Sequence, residues 1–125
     1  MNNQRPRLEE RTIDFSKDVI GFCISEKSTI ITRPIIDQLI RSATSIGANY
    51  AEAVNAASKS DFRNKVFIAK KEAAEAKYWL IPMLDITSDK TACAKLAEEC
   101  HYILMTLQKI ISVLNTGKRT TATAR

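Results

Sequence analysis

The sequence predicts an all-α protein that folds as an antiparallel up-down-up-down four-helix bundle. Three glycines and three prolines in 125 residues leave little turn chemistry for a many-stranded sheet. Apolar residues recur in alternating steps of four and three, which is the period of one helix face, and the connections between these stretches are short. Long helices joined by short connections pack as antiparallel neighbours, so a bundle is the favoured architecture.

One domain is expected, because 125 residues bury enough surface for a single core without metal or disulfide support. We expect the bundle over residues 12–116, a flexible N-terminus over residues 1–11 and a flexible basic tail over residues 117–125. The three cysteines lack CxxC spacing, and neither a secretory signal nor a membrane-spanning apolar stretch occurs. These features predict a reduced, cytoplasmic protein with no membrane partner.

Two helices are predicted in the first half of the bundle. The first covers about Thr12 to Glu26. The second starts near Thr32, which suits an N-cap with Pro34 in the first turn, and runs to about Ala57. Their apolar faces consist of Phe15, Val19, Ile20, Phe22 and Cys23 in the first helix, and of Ile36, Leu39, Ala43, Ile46, Tyr50, Ala53 and Ala57 in the second.

The third helix is predicted to begin with Ser58 or Ser60 as its N-cap and to continue through Leu80. Pro82 then kinks or ends it, because proline has no N–H to donate to the carbonyl of Tyr78. Its apolar face keeps nearly the heptad step, with small residues in the middle that allow close approach of neighbouring backbones. This face consists of Phe62, Val66, Ala69, Ala73, Ala76, Leu80 and Met83.

The fourth helix carries the most regular pattern of the chain. It is predicted to begin after Asp89 and to end near Asn115, with Gly117 beyond it as a stop signal. Apolar residues alternate in steps of four and three along it, as in a coiled-coil seam. This seam consists of Leu96, Cys100, Ile103, Leu107, Ile110 and Leu114.

The segment from Arg41 to Ser58 has only two charged residues, Arg41 and Glu52, and is otherwise rich in small and polar side chains. Such residues are weak helix formers, and an exposed helix is normally filled with Lys, Glu, Gln and Arg. We therefore expect this helix to be packed on more than one side, either by other helices of its own domain or by another copy of the chain.

A polar row lies beside the apolar face of the second helix, within about 80° of arc. It is either a solvent face or a close helix contact, and its lack of Lys favours the contact. Polar groups in such a contact must be hydrogen-bonded, so Glu52 needs a donor, for which Arg41, Lys70 and Lys77 are candidates. The row consists of Gln38, Ser42, Ser45, Asn49 and Glu52.

A family resemblance rests on three runs: QLIRSATSIGANYAEA (38–53), SKSDF (58–62) and AKKEAAEAKYWL (69–80). These runs resemble the bacterial four-helix-bundle family of proteins encoded in intervening sequences of 23S ribosomal RNA genes. Pro82 departs from the usual pattern of that family. The family's signature positions correspond to Gln38, Arg41, Ser42, Ser45, Asn49, Glu52, Glu72, Glu75 and Trp79, which we take as an oligomer or helix-contact seam.

The resemblance implies a four-helix protomer that assembles into a ring-like homopentamer. Related proteins include the accessory proteins of diversity-generating retroelements, which are basic and bind nucleic acid together with a reverse transcriptase. RNA or DNA, and a reverse transcriptase or another nucleic-acid enzyme, are therefore the expected partners. Fold follows from such a resemblance more directly than function does.

The sequence offers little chemistry for catalysis or for a cofactor. His101 is the only histidine, and Cys93 and Cys100 are two turns apart, too far for a two-ligand clamp on one helix. Glu72 and Glu75 lie one turn apart, but the di-metal carboxylate bundles also require Glu-x-x-His on two helices. We expect no enzyme, no cofactor and no metal site, and we interpret the two glutamates as an ion-pair or helix contact.

A basic row on the third helix is the candidate nucleic-acid site. The net charge of +5 admits a polyanionic partner, and the four cations of the row fall within about 40° of one another. Such a row is either a solvated flank or, repeated around an oligomer, a field that holds RNA or DNA phosphates. The alternative function is an assembly scaffold without nucleic-acid binding. The row consists of Lys59, Arg63, Lys70 and Lys77.

Overall fold

A computed structural model describes the backbone of residues 7–124 and the side chains of residues 7–116. Four helices follow one another: α1 (Leu8–Ser25), α2 (Thr32–Val54), α3 (Lys59–Ile86) and α4 (Lys90–Ala124). Each helix packs on the next, and α1 also contacts α4, so the bundle closes on itself. Within the described residues there is no strand, and no helix has both the length and the apolar composition to cross a membrane.

α1 begins at Leu8, four residues before its predicted start, so part of the predicted flexible N-terminus is helical. Two contacts account for the earlier start. The backbone N–H of Arg7 donates to Oε1 of Glu10 at 3.3 Å, and Arg11 binds Glu99 of α4. The second contact joins residues 88 positions apart, so it cannot be predicted from the local sequence of α1. Residues 1–6 lie outside the described part of the chain.

The N-terminus of α2 is stabilised by Thr29, whereas the sequence indicated Thr32. Oγ1 of Thr29 accepts from the backbone N–H groups of Ile31 and Thr32, at 3.2 and 3.0 Å. Thr32 is buried as the first helical residue, and its hydroxyl donates to the carbonyl of Lys27 at 2.7 Å. The hydroxyl of Thr32 thus ties the preceding loop to the helix instead of capping it.

α2 ends at Val54, before the predicted Ala57. Asn55 follows with φ −101° and ψ 14°, and its side-chain Nδ2 donates to the carbonyl of Ala51 at 2.8 Å. An asparagine side chain that occupies a terminal carbonyl favours the end of a helix. Ala57 is accordingly exposed and does not join the core.

α3 runs through Pro82 to Ile86, so the proline does not end the helix. At its start Ser58 is the N-cap, as one of the two predicted alternatives, and accepts from the backbone N–H of Asp61 at 3.0 Å. At its other end Nζ of Lys90 donates to the carbonyls of Leu84 and Asp85, at 2.8 and 3.3 Å. This lysine satisfies carbonyls that helix ends leave without partners, and thereby stabilises the turn that follows the proline.

α4 continues past Gly117 to Ala124, beyond the predicted end near Asn115 and through most of the predicted basic tail. A glycine inside a helix costs only about 1 kcal/mol relative to alanine, so it stops a helix only where a turn conformation replaces it. No glycine among the described residues adopts positive φ. Side chains from residue 117 onward and residue 125 lie outside the described part.

The core confirms most of the predicted apolar faces. In α3 the match is nearly complete, since only Phe62 of the predicted set is less than fully buried. In α4 the seam shifts at its end, where Ile111 is buried and Ile110 only partly so. The fully buried centre of the bundle is formed by Phe15, Val19, Leu39, Ala43, Ile46, Val66, Ala69, Ala73, Ala76, Leu80, Met83, Cys93, Cys100, Ile103 and Leu107.

Arg11 stabilises the contact between α1 and α4. Its guanidinium forms two hydrogen bonds with the carboxylate of Glu99, at 2.6 and 2.9 Å, and lies 3.8 Å from the ring centroid of Tyr102. The hydrogen bond to Glu99 raises the pKa of Arg11, with burial opposing it. Paired hydrogen bonds between charged groups hold both position and angle, so this contact sets the orientation of α1 on α4.

α1 and α2 approach each other closely at Gly47. A Cβ atom placed there would lie 3.3 Å from Oγ1 and 3.4 Å from the backbone oxygen of Thr12. Thr12 is buried, and its hydroxyl already donates to the carbonyl of Glu9 at 2.9 Å. Glycine at this position therefore serves close helix packing and not backbone conformation, because a larger residue would require Thr12 to shift.

Gly47→Val is expected to destabilise the fold by about 1–3 kcal/mol, because two γ carbons would press into Thr12. Gly21→Val is the matched control, since nothing lies within 4 Å of a Cβ at that exposed position of α1. We expect the control to change stability by less than about 0.5 kcal/mol. Urea denaturation monitored by circular dichroism measures both, and equal effects would contradict the close approach.

Candidate nucleic-acid interface and polar groove

Three cations of the predicted basic row form a ladder of hydrogen bonds between α3 and α4. Each cation donates to a neutral acceptor on α4, and we call the three pairs the cationic ladder. Its rungs are Arg63 to Asn115 (Nε and Nη2 to Oδ1, 3.0 and 2.7 Å), Lys70 to Gln108 (Nζ to Oε1, 3.0 Å) and Lys77 to His101 (Nζ to Nδ1, 2.9 Å).

The rungs are regularly spaced because both helices repeat every seven residues there. The cations lie at positions 63, 70 and 77, and their acceptors at 115, 108 and 101, in the reverse order. Antiparallel helices packed through heptad seams keep such positions in register. Seven residues rise about 10.5 Å, so the three rungs span about 21 Å along the bundle.

The charge of the ladder is not cancelled by its hydrogen-bond partners. Asn115 and Gln108 are amides, and an ammonium group only donates, so Nζ of Lys77 donates to Nδ1 of the His101 imidazole. Gln108 is held in orientation because its Nε2 donates to Oγ of Ser112 at 3.1 Å. Lys59, the fourth residue of the predicted row, is exposed in the first turn of α3, outside the three rungs.

Two aromatic rings flank the ladder on the outer side of α3. Phe67 is 45% exposed, and Nζ of Lys70 lies 5.3 Å from its ring centroid. Tyr78 is 59% exposed, follows Lys77 in sequence and makes an edge-to-face contact with Trp79 at 5.0 Å. Sequence reasoning did not single out Phe67, although its position three residues before Lys70 places it on the same side of α3.

The polar row of α2 lies on the edge of that helix that faces α3. There Gln38, Ser42 and Ser45 of the row line a groove of about 370 Å³, which we call the α2–α3 groove. Six of the nine predicted seam residues line this groove. The lining residues are Gln38, Arg41, Ser42, Thr44 and Ser45 from α2 and Glu72 and Glu75 from α3.

The short polar side chains of the row bond to their own helix. The hydroxyl of Ser42, which is almost fully buried, donates to the carbonyl of Gln38 at 2.9 Å. Nδ2 of Asn49 donates to the carbonyl of Ser45 at the same distance. Such bonds to the preceding turn satisfy buried polar atoms without a partner on α3, so the two helices approach each other across small side chains.

Glu52 obtains its donor from a residue that sequence reasoning did not consider. Its carboxylate lies 2.7 Å from Nζ of Lys65, whereas the expected donors were Arg41, Lys70 and Lys77. The last two are engaged with α4 on the opposite side of α3. The ion pair is largely exposed and contributes less than about 1 kcal/mol.

The α3 wall of the groove carries two carboxylates close together. Burial raises the pKa of Glu72, and the neighbouring charge of Glu75 raises it further, while Lys71 and Arg41 oppose both effects. Nε1 of Trp79 donates to Oε2 of Glu75 at 3.3 Å. The signature positions Glu72, Glu75 and Trp79 therefore form one continuous strip along α3.

The three cysteines are part of the core. Burial raises the pKa of Cys100 to about 12, and its Sγ lies 3.3 Å from the carbonyl oxygen of Ala73. Cys93 is likewise buried, with Sγ 3.6 Å from the carbonyl oxygen of Leu80. Within residues 7–116, no group of three or more His, Cys, Asp or Glu side chains is placed to hold a metal ion.

Comparison with known proteins identifies a family and a similar solved structure. The profile of the family described as 23S rRNA-intervening sequence protein matches residues 8–111. The chain is similar to a crystal structure of a protein of unknown function from the S23 ribosomal protein family of Bacteroides thetaiotaomicron. Identity is 29%, the TM-score is 0.72, and the match covers 84% of this chain and 98% of the other. No curated protein matches the sequence.

Glu72→Gln is expected to stabilise the protein at neutral pH by up to about 1 kcal/mol. A raised folded-state pKa means that ionised Glu72 opposes folding above that pKa, and the opposition fades as the carboxyl is protonated at lower pH. The gain should therefore shrink on acidification. Thermal unfolding over a pH series measures it, with the exposed Glu98→Gln as control. A gain that does not change with pH would contradict this assignment.

Proposed function

The chain belongs to the 23S rRNA-intervening sequence protein family, and we propose that it is a non-enzymatic, oligomeric bundle that binds the phosphate backbone of RNA or DNA. The observation that carries this proposal is the cationic ladder, whose three cations have neutral partners. Side chains paired with carboxylates would present little net charge to a polyanion. Here hydrogen bonds to amides and an imidazole position the cations and leave their charge available.

The expected binding is electrostatic and largely independent of sequence. Lysine and arginine that contact phosphates release counterions, which makes affinity fall steeply with salt. The ladder contains no arrangement for reading base edges, because its cations donate to side chains of α4 and the acceptors there are already occupied. A nucleic-acid enzyme such as a reverse transcriptase is a further proposed partner, because both proteins would bind the same nucleic-acid strand.

Oligomer formation is the second part of the proposal, with a ring of five copies as the expected form. The outer side of α2 supports it, because Thr44, Ala48 and Ala51 are small and carry no charge there. Small residues permit close approach of a second copy, and the α2–α3 groove adds Ser45 and Gln38 as hydrogen-bonding groups. In a closed ring the ladder would be repeated, and its field would grow with each copy.

An assembly scaffold without nucleic-acid binding is the alternative function. The same charge-poor side of α2 favours it, since protein contacts need this surface and phosphate contacts do not. The two functions differ in salt dependence, because an assembly held by apolar packing does not weaken with salt as phosphate binding does.

Lys70→Gln with Lys77→Gln is expected to weaken binding of RNA and DNA and to lower its salt dependence. Each lost phosphate contact reduces the slope of log K against log salt concentration by about 0.7 for single strands and about 0.9 for duplex DNA. Glutamine retains a donor for Gln108 and His101, so the α3–α4 contact is preserved. Fluorescence anisotropy with labelled oligonucleotides over a salt series measures both quantities.

Lys17→Gln with Lys95→Gln is the matched control for this pair. Both lysines are exposed and lie outside the ladder, Lys17 on α1 and Lys95 on α4. Their replacement removes the same total charge as the Lys70 and Lys77 substitutions. We expect a much smaller loss of affinity from the control. Equal losses in the two double variants would assign binding to net charge, and no binding by the native protein at low salt would leave only the scaffold function.

Ser45→Lys is expected to dissociate the oligomer, because its long side chain would fill the α2–α3 groove and hold a second copy away from α2. Lysine is a better helix former than serine, so the protomer should stay folded. Thr91→Lys, exposed at the start of α4, is the control. Light scattering coupled to size exclusion gives the mass, and an unchanged oligomer in Ser45→Lys would place the interface elsewhere.

A further inference from the structure

Phe67 and Tyr78 are unusual because large aromatic rings lie half exposed beside a row of cations. They are eleven residues apart, so they lie within about 20° of each other around α3 and about 16 Å apart along it. Aromatic side chains usually cover a core or an interface, and these two cover neither within the protomer. Their spacing along α3 falls within the span of the ladder.

The straightness of the ladder discriminates between single and double strands. Its rungs lie on one line about 21 Å long. Each strand of a duplex winds once around the axis in about 34–36 Å, so over the length of the ladder it turns through more than half a circle. In a duplex that lies parallel to the ladder, the phosphates of one strand would therefore leave the protein surface before the last rung. A flexible single strand follows a straight row without this mismatch.

The two aromatic rings are a second reason to expect a single strand and not a duplex. Bases of a duplex are paired and stacked on one another, whereas bases of a single strand are free to stack on protein side chains. Nζ of Lys70 lies 5.3 Å from the ring of Phe67, so a phosphate on this rung has a ring within reach of its own base. Tyr78 directly follows Lys77 in sequence, so its half-exposed ring starts from the same turn of α3 as the third rung.

We infer that this face of α3 binds a single strand of RNA or DNA, with phosphates on the cationic ladder and bases stacked on Phe67 and Tyr78. This inference rests on the proposed function and names its ligand class. Stacking is tolerant of sequence because every base has a π face, so the site distinguishes strandedness and not sequence. Aromatic stacking contributes about ten-fold in affinity for each base.

The test compares labelled oligo(U), oligo(dT) and a DNA duplex of equal length, each bound to the full chain at low salt. Each single strand should bind at least about ten-fold more tightly than the duplex. Phe67→Leu and Tyr78→Leu should each lower single-strand affinity about ten-fold, while duplex affinity stays unchanged. Trp79, the single tryptophan, touches Tyr78 and should report single-strand binding by a change in its fluorescence.

Three further variants serve as controls. Phe67→Tyr and Tyr78→Phe keep an aromatic ring and should keep native affinity. Met105→Leu, at an exposed position of α4, should also have no effect. Circular dichroism verifies that each variant is folded, and substitutions at exposed positions should leave the core intact.

The outcomes separate this inference from the function on which it rests. If the native protein bound none of the three nucleic acids, the proposed function would be overturned. Equal affinity for single strand and duplex, unchanged in Phe67→Leu and Tyr78→Leu, would overturn only the single-strand inference. A preference between oligo(U) and oligo(dT), with the ring effects retained, would support it and point to a further contact at one of the two groups by which these strands differ, the 2′-hydroxyl and the thymine methyl group.

Discussion

The close approach of α3 to its neighbours is the constraint on which the rest of the structure depends. Ala69, Ala73 and Ala76 are fully buried along its centre, and Sγ of Cys100 lies 3.3 Å from the backbone oxygen of Ala73. Small side chains allow two backbones to pack tightly while the helices stay in heptad register. This close packing keeps Lys70 and its equivalents within hydrogen-bond distance of α4, so the cationic ladder depends on the alanine seam.

The faces of the helices were predictable because burial depends on period, and a period is visible in one sequence. Leu80 and Met83 continue the face of α3 through Pro82, and both are buried. Helix ends were less predictable, because they depend on contacts with residues that are distant in sequence. Arg11 extends α1 through a bond to Glu99, and Lys90 satisfies the carbonyls after Pro82 from the next helix.

The candidate sites show the same difference between features that follow from periodicity and features that depend on residues distant in sequence. The cations of α3 form a row by periodicity alone, but their acceptors on α4 depend on the register between two helices, which neither helix reveals by itself. Glu52 was assigned to the wrong donors because Lys70 and Lys77 occupy the opposite side of α3. Phe67 was overlooked because an aromatic residue between apolar neighbours resembles a core position until burial is known.

The neutrality of the α4 rungs makes the electrostatic character of the bundle adjustable from one helix. Asn115→Asp or Gln108→Glu would change a single atom type, keep the rung geometry and convert an available cation into a closed ion pair. Evolution can therefore switch off the charged face without altering α3 or the core. Among family members with this fold, the residues at these two positions would distinguish bundles with an available positive row from bundles in which that row is neutralised.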